Sequence, residues 1–172
     1  ERHRDVCVVD TKNLSAGVGH VAEKAAALAK IGFPEDKVKL ELEKLTSKLY
    51  SSFISHDTYV ADADDSAHHI NKGDDFYISF LVEDDTKPNK RYVGNWNDVT
   101  YNYICDFMKV REKLSPKQLF VSHMACDKDF MEMVVHEIKE YDYFKKITLV
   151  ESSISSAYVS GMESFGFYGV RK

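Results

Sequence analysis

Basic charge is scarce in this sequence. Its 172 residues carry 23 Lys and Arg against 28 Asp and Glu, a formal net charge of −5. Nucleic-acid binding depends on clustered Lys and Arg, so this balance argues against it. No apolar run approaches the ~20 residues of a membrane span, and no secretory signal is read at the start. Cysteine is rare too. Cys7, Cys105 and Cys126 are an odd number, far apart and without metal-site spacing, and are expected to be buried reduced thiols of a cytosolic protein. No Gly-Lys-Ser/Thr marks a P-loop. Gly17 and Gly19 lack the third glycine and the downstream acid of a dinucleotide fingerprint. Internal repeats, coiled-coil heptads and low-complexity tracts are absent. The chain opens on Glu1 rather than Met, as a piece of a longer protein would.

What is present supports a folded core. Hydrophobic residues make up 44% and aromatics 12% of the chain, enough for one domain, or one domain plus a fragment of another. Val6 to Val9 reads as a buried strand ending at Asp10. A polar loop through Asn13, Ser15, Gly17 and Gly19 then enters a helix that runs to about Lys30. Val18, Val21, Ala22, Ala25, Leu28 and Ala29 form the apolar stripe of that helix, and Gly32 stops it. So many alanines predict close packing against a sheet. Pro34, Glu35 and Asp36 open a second helix, in which Val38, Leu42, Leu45 and Leu49 recur at helical spacing. Phe76 to Glu83 is the clearest strand. A turn over 84–90 returns the chain through Arg91, Tyr92 and Val93 as an antiparallel hairpin. A helix is expected from about Asp98 to Lys113, with Ile104, Phe107, Met108 and Leu114 inward. Then come a strand at Leu119 to Val121, a helix from Asp127 to Glu140, a strand at Ile147 to Val150 and a last strand from about Ser164 to Val170. The strand–helix–strand unit should be right-handed. The fold class is α/β (α+β), with a mixed sheet.

Strand, Ser/Gly loop, helix is a common way to build a small-ligand site. Glycine lets a ligand approach the backbone, and the helix dipole favours a negative group. Such loops equally serve as plain connections. Other candidates read mostly as structure. His68 and His69 beside Asp62, Asp64 and Asp65 are adjacent, not three or four apart, and fit a solvated acidic loop better than a metal site. His123 and Cys126 suit a nucleophile and base in type, but Asp127 beside them is explained as a helix cap. His20 and His136 have no partner readable from sequence. Ser152, Ser153, Ser155, Ser156 and Ser160 with Gly161 offer hydroxyls to an anion, and equally suit a loop between strands. The strand aromatics Phe76, Tyr77, Phe80, Phe120, Phe165 and Phe167 fit an ordinary core or the wall of an apolar tunnel.

The wording of two segments adds a resemblance. Val8-Val9-Asp10-Thr11 through Gly19, then Ala25 to Ala29, Ile31-Gly32 and the helix start at Pro34-Glu35, resemble the DegV family of bacterial lipid-binding proteins. The closing stretch, Glu151 to Ile154 through Gly161 and Ser164 to Tyr168, is similar to that family's last segment. The resemblance spans nearly the whole chain, but as the second half of a complete family member. It implies a DegV (EDD-fold) C-terminal domain with a mixed, largely antiparallel sheet flanked by helices. By this reading residues 1–50 are a remnant of the N-terminal α/β domain, and residues 51–172 are the C-terminal domain. The family's fatty acid lies between two domains. Its carboxylate is held by Thr and Ser of the N-terminal portion, by a loop histidine and by a basic residue.

The sequence departs from that pattern. The matching loop, Tyr158 to Glu163, has neither histidine nor proline. Arg91 is the nearest basic residue, without a clear register. The stretch from Thr58 to Phe76 lacks the Gly-Gly-Arg-Ile-type element. A partner domain supplying the head-group contacts, a different head group and a lost function are all consistent with this. The resemblance implies a cytoplasmic, non-catalytic module for a fatty acid or other acyl lipid that presents the chain to a partner kinase. The alternative is a degenerate interaction or sensory domain. Asn13, Ser15, Gly17, Gly19, Ser160 and Gly161 are the expected ligand-binding residues, and no cofactor or metal is expected. A missing N-terminal domain, or another domain of the same polypeptide, is the expected protein partner.

Overall fold

The structure, a computed structural model, describes residues 6–55, 76–82, 86–153, 156 and 159–172. Two helices come first, α1 (Ala16–Lys30) and α2 (Glu35–Thr46). Strands β1 (Leu49–Ser55), β2 (Phe76–Val82) and β3 (Thr86–Val93) follow. Helix α3 (Trp96–Val110) runs into a 3-10 turn at Arg111–Lys113. Then come β4 (Leu119–Met124), α4 (Lys128–Lys139), β5 (Ile147–Glu151) and β6 (Ser164–Val170). The strands form a six-stranded sheet in the order β3-β2-β1-β6-β4-β5. Every pairing is antiparallel except β4–β5, which is parallel across α4. This is the mixed, largely antiparallel α/β sheet that the sequence predicts.

Alternation along the strands divides the sheet into two faces. Ile54, Tyr77, Leu119, Val121, Phe165 and Phe167 join Val99, Tyr103, Ile104 and Phe107 of α3 and Met131, Val134 and Ile138 of α4 in the main core. The opposite face carries Phe53, Phe80, Val82, Phe120 and Tyr168. There α1 contributes its start, through Ala16 and through His20, whose ring meets Phe120. Both sheet-covering helices are capped as their sequences prescribe. The Asn95 side chain accepts from the Asp98 N–H, and Asp127 accepts from the N–H groups of Asp129 and Phe130, each cap contributing about 1 kcal/mol.

Several expectations fail for identifiable reasons. Val6 to Val9 is in no strand; Val6 and Val8 are 84% and 77% exposed. A strand needs a ladder partner, and among the described residues none lies beside this segment. Only Val9 is tucked in, against Val21, Leu42 and Leu49. Cys7 is therefore exposed rather than buried, while Cys105 and Cys126 are partly buried. Ala22, Ala26, Ala27 and Ala29 are exposed, so α1 does not lie flat on the sheet. It packs instead on α2 and on the strand end at Leu49 through Val21. Leu49 belongs to β1, not to α2. The returning strand of the hairpin starts at Thr86, inside the predicted turn. The acidic loop with His68 and His69 lies outside the described residues.

Candidate functional site

The loop into α1 is held by its own side chains. Asp10 accepts from the Lys12 N–H at 2.9 Å. Asn13 Oδ1 accepts from the Leu14 N–H at 3.0 Å and from the Ser51 hydroxyl at 2.9 Å. The Asn13 side chain occupies the space that a Cβ on Gly17 would need. Asn13 and Gly17 thus fix the loop against β1.

Ser15 is the N-cap of α1, yet its side chain makes no capping bond. Its backbone sits at φ 48°, ψ −124°, a region that costs a non-glycine residue roughly 1–3 kcal/mol. This conformation turns the hydroxyl away from the helix and into the sheet. Ser15 Oγ lies 2.5 Å from Ser122 Oγ and 2.6 Å from Ser152 Oγ. Ser122 and Ser152 are themselves 2.5 Å apart. The three hydroxyls close a ring drawn from the α1 cap, from β4 and from the end of β5. The Ser152 N–H donates to the His123 carbonyl at 2.7 Å, which pins that end of the ring.

Tyr168, buried on β6, faces the ring. Burial holds its phenol well above the usual range, with the Ser15 and Ser122 hydroxyls pulling weakly the other way. A second hydroxyl pair lies alongside. Ser164 Oγ donates to Ser160 Oγ at 3.0 Å and to the Gly161 carbonyl at 2.9 Å, and Ser160 donates to the Ser156 carbonyl at 2.9 Å. Gly161 takes φ 74°, where glycine is favoured.

These groups surround one hollow of about 10 Å³, lined by both serine sets and by Leu14, Phe53, His123, Phe165, Gly166 and Tyr168. The opening loop and the closing segment therefore border the same crevice. Leu14 and Phe53 continue from it into an apolar cluster with Phe80, Val82 and Ile78. The site is polar at one end and greasy at the other. Gly166 makes the approach possible, since a Cβ there would meet the Ser52 carbonyl and lie 2.7 Å from Phe53 Cβ.

Of the sequence-predicted residues, Ser15 and Ser160 line the hollow, and Gly161 supplies the carbonyl that orders Ser164. Asn13 and Gly17 stand behind Ser15, and Gly19 is exposed on α1. Sequence reasoning missed Ser122, Ser164, Gly166 and Tyr168. One signal was available: a serine inside the apolar run Leu119-Phe120-Val121-Ser122 needs a buried partner.

His123 and Cys126 do not make a nucleophilic pair. The Cys126 thiol donates to the Ser164 carbonyl at 3.3 Å, and burial pushes it up to about 11. His123 shares its strand face with Leu119 and Val121, and its Nδ1 is buried without a partner. Among the described residues no group of His, Cys, Asp and Glu is placed to hold a metal ion, and no helix is long and apolar enough to cross a membrane.

No family model matches the sequence, and no curated protein matches it. Solved structures do match in fold. A DegV family protein from Eubacterium eligens loaded with heptadecanoic acid superposes with a TM-score of 0.78 at 9% identity, over 98% of this chain and 62% of that one. A DegV family protein from Thermus thermophilus, described by its fatty acid binding, gives a TM-score of 0.72 at 18% identity, over 96% and 61%. The Fatty Acid Kinase (Fak) B3 protein of Streptococcus pneumoniae, loaded with linoleic acid, gives 0.71 at 10% identity, over 90% and 56%. The chain has the DegV fold and spans about three-fifths of the length of the structures it matches.

Proposed function

We propose that this chain is the larger part of a lipid-binding protein of the DegV type, which shelters a fatty acid or other acyl lipid and performs no chemistry on it. Support comes from one meeting point. The Leu14–Ser15 turn joins Ser152, Ser160 and Ser164 around a single hollow bordered by Phe53, which packs in turn on Phe80 and Val82. Hydroxyls suit a polar head, and the cluster suits the first methylenes of a tail, each worth about 0.8 kcal/mol when buried. Two neighbours of the same fold are described as loaded with a fatty acid and a third by its fatty acid binding. A Cys126 thiol that stays neutral at physiological pH supports a binding rather than a catalytic role.

Residues 1–50 belong, by this proposal, to a first lobe whose remainder completes the site. The exposed Val6 and Val8 support this, because an apolar extended segment gains most by adding to another sheet. A kinase that receives the lipid is proposed by analogy with the name of the pneumococcal neighbour, and the cytoplasm is the proposed compartment. The second reading, an interaction or sensory module without ligand, draws on the small size of the described hollow and on the loop that lacks a histidine.

The decisive experiment is organic extraction of the purified protein followed by mass spectrometry, with thermal shift on added long-chain lipids. Co-purifying acyl species and a rise in Tm are expected. Their joint absence would overturn lipid binding in favour of the interaction module.

A further inference from the structure

We infer that β5 is an interface between copies of this chain. Two molecules pair antiparallel through Ile147–Glu151, about a twofold axis at Thr148, and their sheets run on as one.

The two edges of the sheet are built differently. A bare edge strand is a template for another chain, and proteins blunt it with charge, proline or a bulge. The β3 edge has all three. Lys87, Lys90 and Arg91 are exposed, Pro88 sits within the strand, and the pairing with β2 skips Asn89. The β5 edge has none of them. Its register with β4 is unbroken from Ile147 to Glu151, and the stretch from Ile147 to Val150 holds neither charge nor proline. Leu149 is 40% exposed. Among the described residues nothing pairs with the outer side of β5.

The free backbone groups can be named. The Lys146 carbonyl accepts from the Leu119 N–H, and the Ser152 N–H donates to the His123 carbonyl. The even-numbered residues thus turn their backbone groups toward β4, and alternation points those of Ile147, Leu149 and Glu151 outward.

The side chains choose the partner. Lys145 and Lys146 precede the strand and Glu151 ends it. A parallel copy would stack like charges, whereas an antiparallel copy sets opposite charges together. A twofold axis normal to the sheet makes the central residue face itself. With Thr148 at the centre, Ile147 lies opposite Leu149 on both sides of the axis, and each such pair exchanges two backbone hydrogen bonds. Lys145 then lies beside Glu151 at both ends, and the two Thr148 side chains form a favourable cross-strand pair. Centring on Leu149 would set Ile147 against Glu151 instead. A contact this short is smaller than a standard interface, so the dimer is expected to depend on protein concentration.

The test combines sedimentation equilibrium of this chain, from low micromolar to near millimolar, with cysteine cross-linking. As a non-hydrogen-bonded pair the two Thr148 Cα atoms would stand about 4.5 Å apart, within the reach of a disulfide. In a Cys7→Ser background, Thr148→Cys should cross-link to a dimer on mild oxidation, and Val150→Cys, which faces Lys146, should not. Glu151→Lys sets like charges together at both ends and should weaken the dimer about fivefold or more. Adding Lys145→Glu should restore it. A monomer at every concentration overturns the inference. So does a dimer that ignores the charge swap, or one in which Val150→Cys cross-links as readily as Thr148→Cys. Thr148 accepts a hydrogen bond from Gln118; should its substitution not fold, the exposed Lys145 and Glu151 leave the charge swap to decide.

Discussion

Ser15 and Ser152 are separated by 137 positions in sequence, and their hydroxyl oxygens lie 2.6 Å apart. Nothing local brings them together. Ser15 adopts a strained cap to reach inward, and Ser152 is carried there by the parallel pairing of β5 with β4. Their contact with Ser122 predicts coupled energetics. Ser15→Ala or Ser152→Ala should each cost about 1 kcal/mol in urea unfolding. The double variant should cost clearly less than the sum, because the first substitution already opens the ring. Strict additivity would mean that the three hydroxyls do not act as a unit.

Gly166→Ala tests the approach of β6 to β1. The new methyl would press on the Ser52 carbonyl and on Phe53, which is 1% exposed and has nowhere to move. Forced repacking of this kind costs roughly 1–3 kcal/mol. Gly169→Ala on the same strand is the control, since its Cβ would sit 3.5 Å from Leu114 Cδ1 in ordinary contact. Gly166→Ala should lower the urea midpoint well beyond Gly169→Ala. Equal midpoints would contradict the close approach.

Much of this fold was legible in the chain and some was not, and the boundary is physical. Asp127 announced α4 because a cap acts within three residues, and the alternating β6 announced itself because both of its faces are buried. The Val6–Val9 strand was misread because apolar content says that a segment wants a partner and not that one is beside it. The alanines of α1 were misread for the same reason. At the site, Ser15 and Ser160 could be found because they stand close to glycines in short polar segments. Ser122 and Tyr168 could not, because their role depends on strand pairing across 44 to 48 positions, from Ser122–Gly166 to Phe120–Tyr168.

Thr100 offers a stabilising substitution. It is fully buried on α3, and its hydroxyl has no partner. Thr100→Val keeps the shape and removes the unpaired group, so a gain of about 1 kcal/mol is expected. In a chain of this size that is a rise in Tm of roughly 2–4 °C. Scanning calorimetry would show it, and a fall in Tm would mean that the hydroxyl is satisfied after all.

Cysteine reactivity should divide by burial. Cys7 is exposed, whereas the Cys126 thiol is partly buried, donates to the Ser164 carbonyl and is pushed up to about 11. Thiolate is the reactive form. At pH 8 a disulfide reagent should therefore modify Cys7 rapidly and Cys126 only after unfolding. Peptide mapping after a short pulse gives the order, and early labelling of Cys126 would revive it as a nucleophile.

His20 gives the fold a pH dependence of definite sign. Its ring stands edge-on to Phe120 with centroids 5.1 Å apart. Burial lowers its pKa below the ordinary value of 6.5; Glu23 pulls it back up in part, and Lys24 adds to the lowering. A base whose folded pKa is lowered binds its proton more readily when unfolded. Stability is then unaffected by His20 above about pH 6.5 and is lost as the pH falls from there through the lower folded value. Other groups titrate in the same window, so the comparison has to be made against His20→Phe, which keeps the ring packing and removes the proton site. The wild type should lose more Tm between pH 7 and pH 5 than the variant does. Parallel curves would show that His20 titrates alike in the folded and unfolded chain, and that the α1 start is more open to water than its contact with Phe120 implies.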